Sequence, residues 1–242
     1  LVSAGFGEEL SLGPVDRVAD FPEGWQMNTP EENIFRLSSG EAFILLEKGD
    51  GGSYVLAMDS YGVMPYDSDG TQKFDPSDPN NVAYWLNHDL IETQEGGLPA
   101  AMRPYLMERD YLTEAGSPNG NCPEDYMVRA KVVLLSQTEW LKYINRFGAG
   151  DEIPQYGWWL RTGLGSGSDA SMVLWSTIYE GATGTTAGHN AAEQDTGQVR
   201  PAFWLSDDFF LQVPLSFAGQ TVRDEVFSQL DAEKTTLYTD IE

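Results

Sequence analysis

The chain has 242 residues, of which 38 are Asp or Glu and 14 are Lys or Arg, giving a formal net charge of −24. So acidic a chain is repelled by nucleic acid and by anionic membranes, because both need clustered positive charge. Its 41% hydrophobic and 12% aromatic content excludes a disordered chain, no apolar run is long enough to span a bilayer, and a lone cysteine, Cys122, excludes an internal disulfide or a cysteine-built metal cluster.

Residues 1–34 show no sustained period and are expected to wrap irregularly over a domain at 35–206. The chain opens Leu1-Val2-Ser3-Ala4-Gly5, without an initiator methionine or basic leader, as expected of an excised segment or of a processed exported protein. Residues 42–46 and 54–58 are short apolar runs joined by Lys48-Gly49-Asp50-Gly51-Gly52, which predicts a β-hairpin. A polar loop rich in Asp, Pro and Gly is expected at 65–81. Within it, Asp78-Pro79 has the form of a helix N-cap followed by proline at the first helical position. Val82, Trp85, Leu86 and Leu90 then make the apolar stripe of one helix.

A second short helix is expected over 99–107, with Met102, Tyr105 and Leu106 on one face, and a loop over 110–126. Lys131-Val132-Val133-Leu134-Leu135 reads as a strand running into Ser136-Gln137-Thr138-Glu139, a capping box in which Ser136 and Glu139 satisfy each other's backbone N–H. The helix so started continues through Trp140, Leu141 and Ile144 and stops at Phe147-Gly148. Further strands are expected at 157–162, 171–179 and 198–205, separated by Gly-, Ser- and Thr-rich loops at 163–170 and 180–197. Residues 207–242 form an acidic segment, with a helix expected over 221–233, leading toward a further domain.

This order predicts an α+β fold on an antiparallel sheet. Four segments carry a resemblance: Asn80-Asn81-Val82-Ala83-Tyr84-Trp85-Leu86-Asn87; Val133-Leu134-Leu135-Ser136 with its helix; Gly157-Trp158-Trp159-Leu160-Arg161-Thr162; and Gln198-Val199-Arg200-Pro201-Ala202-Phe203-Trp204-Leu205. Together they resemble an uncharacterised module of surface and exported proteins of Gram-positive gut bacteria. That module is itself similar to the C-type-lectin-like fold of the sulfatase-modifying factors, the formylglycine-generating enzymes. The resemblance covers 35–206 and implies short helices around a twisted antiparallel sheet with long loops, in an extracellular or cell-surface protein. It does not bring the family's chemistry. Formylglycine-generating enzymes bind copper and oxidise through two cysteines, and only Cys122 stands here. The Glu-Pro-Asn or Gln-Pro-Asp triplet of calcium-dependent sugar-binding lectins is also missing.

Candidate ligand-binding residues are Trp159, Arg161, Trp175, His189, Arg200 and Trp204. Strand alternation puts Trp159 with Arg161 on one face, and Arg200 with Trp204 on another. Gathered in a pocket, two guanidiniums and two indoles would hold a carboxylate or a sugar; alternatively, each arginine pairs a structural carboxylate and stacks over an aromatic ring. His189, with Glu193 and Asp195 after it, is a candidate base or metal ligand, or else a solvated side chain. Asp67, Asp69, Asp75 and Asp78 place hard oxygens on one loop, as calcium requires. The other reading is a soluble acidic loop, and the EF-hand spacing fails because Gln72 stands where its glycine would be. Apart from calcium, nothing points to a cofactor. No serine sits in a nucleophile elbow.

Three functions compete on this basis. One is a non-catalytic extracellular module that recognises a glycan or a surface partner. The others are an altered or degenerate enzyme of the sulfatase-modifying superfamily, and a structural spacer of a surface protein. The aromatic region holding Trp158, Trp159, Trp175, Tyr179 and Trp204 favours the first, since sugars stack on such rings.

Overall fold

Apolar, β-branched and aromatic residues build most of the strands, and the computed structural model describes residues 33–49, 51–115, 124–147, 158–163, 169–174, 185–190 and 197–217. Ile34–Leu37 (β1), Ala42–Gly49 (β2) and Gly52–Ala57 (β3) make an antiparallel meander. The predicted hairpin is β2–β3. Its turn passes through Gly51 at φ 72°, a left-handed position that glycine takes without steric cost. Both faces of β2 are buried from Ala42 to Leu46, which is why that stretch reads as an unbroken apolar run.

Leu106–Met107 (β4), Arg109–Thr113 (β5), Tyr126–Ala130 (β6), Val132–Val133 (β7), Trp158–Gly163 (β8), Asp169–Leu174 (β9), Thr185–Asn190 (β10), Ala202–Ser206 (β11) and Leu215–Phe217 (β12) follow. The main sheet has the order β12-β1-β2-β3-β11-β4, with β7 also paired to β11. All of its pairings are antiparallel. A second sheet runs β10-β9-β8, and β5 pairs β6 in a separate ribbon. Short helices accompany them: Val82–Asn87 (α1), Asp89–Glu92 (α2), Gln137–Phe147 (α3) and Asp207–Gln212 (α4). The architecture is therefore the expected α+β class with antiparallel sheet. Among the described residues no helix is long and apolar enough to cross a membrane.

Aromatic packing closes the sheet. Phe35 of β1 stacks on Phe43 of β2 at 5.7 Å between centroids and lies edge-on to Phe210 of α4 at 5.5 Å. Phe43 in turn meets Phe203 of β11 at 5.9 Å, and Phe217 of β12 stands opposite Phe35 in register. The sheet thus runs on past residue 206, where the sequence suggested a boundary, because α4 and β12 complete the core around Phe35.

Several local expectations change. The single helix at 82–90 is broken at His88 (φ −119°, ψ −77°) into α1 and α2. Its cap is Asn81 rather than Asp78: Asn81 Oδ1 accepts from the Ala83 N–H at 3.0 Å, while Asp78 accepts from the Asn80 N–H in the preceding turn. Over 99–107 only one 3-10 turn, Arg103–Tyr105, forms before β4, since Leu106 and Met107 pair with Leu205 and Trp204. The expected loop at 110–126 is entered by β5 as far as Thr113 and left by β6 from Tyr126, and β10 lies within the expected loop at 180–197. Residues 1–32, the helix expected at 221–233 and residues 175–179 of an expected strand lie outside the described residues.

Candidate functional site

The site grows from the capping box. The Ser136 N–H donates to Glu139 Oε2 at 3.0 Å, and the Glu139 N–H donates to Ser136 Oγ at 3.1 Å. This reciprocal pair starts α3 where the sequence places it. The same Glu139 carboxylate accepts a forked pair of bonds from Arg161 of β8, Nη2 to Oε1 at 2.8 Å and Nη1 to Oε2. Arg161 also donates through Nη1 to the Leu134 carbonyl at 2.6 Å, through Nη2 to the Leu112 carbonyl at 2.9 Å, and through Nε to Thr113 Oγ1 at 3.1 Å. All five guanidinium donors are engaged, and the side chain is 1% exposed. One arginine therefore ties β8 to α3, to β5 and to the segment after β7.

Above this knot lies a cleft of about 360 Å³ between β3, the β5–β6 ribbon, α3 and β11. Its aromatic wall is a cross-strand pair: Tyr54 and Trp204 stand opposite each other in register and stack at 5.4 Å with 14° between ring planes. Tyr111 and Tyr143 flank Tyr54 at 6.2 and 6.0 Å. The Arg109 guanidinium lies 4.6 Å from the Trp204 ring centre. Glu47, Asp110, Glu114, Glu139 and Lys142 supply the remaining charge of the lining.

Those charges already have partners. Glu114 accepts from Ser136 Oγ at 2.8 Å and from Thr162 Oγ1 at 2.6 Å. Burial raises its pKa, but these hydrogen bonds outweigh burial and hold it below the usual carboxylate range. Glu47 is likewise raised by burial and lowered further by Lys142 and Tyr143, both of which donate to it. Burial pulls the Arg161 guanidinium down, and the Glu139 charge more than offsets that pull. Burial pushes Tyr54 and Tyr111 well above the ordinary tyrosine value, and Tyr143 up to about 12.

The residues expected to share a pocket divide. Arg161 and Trp204 both line the cleft. Trp159 does not: it is fully buried, donates from Nε1 to the Met64 carbonyl at 2.8 Å and packs edge-on to Tyr66. The register of β8 shifts between Trp159 and Gly163, so simple alternation fails to hold these side chains together. Arg200 lies apart from the cleft, under Trp158 at 4.6 Å, with Nε and Nη2 on the Ala57 carbonyl. Its Nη1 has no partner among the described residues, and burial lowers its pKa to about 9. Trp175 lies outside the described residues, as does the His189 side chain; the His189 backbone pairs with Ala170 in the β10–β9 ladder.

The acidic loop also divides. Asp67, Asp69 and Asp78 bring oxygens within 4.8 Å of one another, and Asp75 stands outside that group. Asp75 instead accepts from the Ser77 N–H at 3.0 Å and from Lys73 Nζ at 3.0 Å. Asp67 is fully buried and accepts from the Asp69 N–H at 2.8 Å, from Asn81 Nδ2 at 2.9 Å and from Thr71 Oγ1. These bonds pin the loop to the start of α1.

Comparison of the chain with family models, with curated proteins and with solved structures finds no match. The site therefore stands on its own geometry.

Tyr54, Arg109, Tyr111 and Glu139 are among the cleft residues that sequence reasoning missed as site residues. A signal for two of them is present: Arg109-Asp110-Tyr111-Leu112-Thr113 and Tyr126-Met127-Val128-Arg129-Ala130 each alternate between the interior and solvent, Tyr111, Thr113, Val128 and Ala130 being buried. Their mutual pairing makes the ribbon that walls the cleft.

Proposed function

We propose that this chain is a non-catalytic recognition module on the outside of a Gram-positive cell, and that its cleft takes a glycan. The observation that carries the reading is the pairing of half-buried Trp204 with Tyr54 beside a floor of hydrogen-bonding carboxylates and hydroxyls. Sugars offer CH faces to aromatic rings and hydroxyls to such polar groups. The cleft volume of about 360 Å³ lies within the range of small-ligand sites.

Catalysis fits the same groups poorly. Each ionisable lining group whose pKa is displaced moves away from neutrality: Glu47 and Glu114 downward, the three tyrosines, Lys142 and Arg161 upward. A general acid or base needs the opposite displacement. The lectin-like architecture belongs to the same proposal, supported by short helices packed on antiparallel sheet around long connections.

A glycan array probed with the purified chain tests the reading. Hits should quench or shift tryptophan fluorescence, and Trp204→Leu should abolish them while leaving the fold intact by circular dichroism. Absence of binding across the array at high micromolar protein would overturn the recognition role and leave a spacer.

A further inference from the structure

The Tyr111 hydroxyl serves no role that the fold explains. Its ring packs 6.2 Å from Tyr54 and 5.5 Å from the Arg161 guanidinium, and it lines the cleft. The hydroxyl itself is buried and has no hydrogen-bond partner among the described residues. Phenylalanine would fill the same space without leaving a polar atom unsatisfied, so the hydroxyl costs the free protein stability.

Most charges of the cleft are in the opposite condition, while Arg109 lies over the Trp204 ring. Arg161 is held by Glu139, Lys142 by Glu47, Asp110 by Arg129, and Glu114 by Ser136 and Thr162. A charged ligand would compete with one of these pairs, and separating Arg161 from Glu139 would strand a buried charge. An uncharged ligand competes with none of them for a charged partner and needs at most the exposed Lys142–Glu47 pair to shift.

Resting on the reading of this cleft as a recognition site, we infer that its ligand is an uncharged saccharide, one hydroxyl of which hydrogen-bonds the Tyr111 hydroxyl while its CH face lies against the part of Trp204 that Tyr54 and Arg109 leave open. Trp204 is the partly exposed aromatic of the lining, whereas Tyr54, Tyr111 and Tyr143 are buried. Because the Tyr111 hydroxyl is closed off in the free protein, the ligand reaches it after a lining side chain turns aside. The Lys142–Glu47 pair, with side chains 57% and 38% exposed, can move at little cost.

An array of neutral, acidic and amino glycans, followed by calorimetric titration of the best hit at low and moderate salt, tests this. A neutral hit should bind with an affinity that salt leaves unchanged within twofold. Tyr111→Phe should weaken that affinity at least tenfold and leave the melting temperature of the free chain equal or higher. A merely structural tyrosine would show no such split. A best hit that is acidic or cationic overturns the inference but leaves the recognition role standing, and binding of no glycan overturns both. A neutral hit untouched by Tyr111→Phe overturns the hydroxyl contact. A Tyr111→Phe chain that fails to fold would mean that the hydroxyl is used by the fold, and overturns it too.

Discussion

Glu139 closes the helix cap of α3 through Oε2 and, with both oxygens of the same carboxylate, receives the forked guanidinium of Arg161 from β8. A local helix signal and a long-range tie therefore depend on one carboxylate. Removing either partner leaves the other unpaired, Arg161 fully buried and Glu139 mostly so, which costs about 3–5 kcal/mol. We expect Arg161→Met and Glu139→Ala each to lower stability by that order in chemical denaturation. Arg161→Lys should recover only a small part, because an ammonium cannot make the fork or reach five acceptors. A loss under about 1 kcal/mol for Arg161→Met would show that the tie is dispensable.

Gly197 is required by its neighbour. A Cβ there would lie 1.7 Å from Trp159 Nε1 and 2.0 Å from Cε2. The backbone cannot simply yield, since the Gly197 carbonyl accepts from the Met64 N–H at 3.1 Å and the Met64 carbonyl accepts from the Trp159 indole at 2.8 Å. Gly197→Ala should therefore destabilise by about 3 kcal/mol or more, the upper end of overpacking costs. The double variant with Trp159→Phe should lose less than the sum of the two single losses, because the smaller ring makes room. Additive losses would place the strain elsewhere.

What could be read from the sequence was what short stretches of chain decide for themselves. The β2–β3 hairpin and the Ser136–Glu139 capping box need only neighbouring residues, and both are present. The cap at Asn81 was missed because Asp78-Pro79 carries the same local chemistry three residues earlier. What separates the two is tertiary: Asn81 also donates to Asp67 and to the Lys73 carbonyl, which fixes it as the cap. The ribbon was missed because Gly116, Pro118, Gly120 and Pro123 lie between its two strands, so the composition of 110–126 reads as loop. Of the cleft, only Arg161 and Trp204 were singled out from the sequence. Its walls come from β3, β5, α3 and β11, and no single segment records that Tyr54, Tyr111, Glu139 and Trp204 converge.

Alkaline pH should reveal two opposed groups. Burial raises the pKa values of Tyr54, Tyr111 and Tyr143. The folded chain thus keeps protons that unfolded tyrosines lose near about pH 10, so their stabilisation is full below that pH and is lost as pH rises toward the folded values. Burial lowers Arg200 to about 9, so from there upward the unfolded chain binds the extra proton and stability rises with pH. We expect the melting temperature to climb slightly between about pH 9 and 10 and then to fall, three tyrosines outweighing one arginine. Absorbance at 295 nm should report those tyrosines ionising only together with unfolding. Arg200→Met should remove the climb, and a steady decline from pH 9 in the unaltered chain would mean that Arg200 stays charged in the fold.

Calcium is the remaining test of the acidic loop. Asp67, Asp69 and Asp78 are close enough to share an ion, at 4.8 Å or less between oxygens. Yet the oxygens of Asp67 already accept from the Asp69 N–H, Thr71 and Asn81, and Asp69 accepts from Asn80 Nδ2 at 2.9 Å. An ion bound there would have to displace donors that hold the loop to α1, whereas calcium needs six or more oxygens with free lone pairs. We therefore expect millimolar calcium to raise the melting temperature no more than magnesium does at the same ionic strength, since only a ligand specific for the folded state shifts it further. Asp67→Asn should destabilise with or without calcium, because one of its amide sites then faces donors. A rise specific to calcium that Asp69→Asn abolishes would show instead that the loop rearranges to release its oxygens and bind the ion.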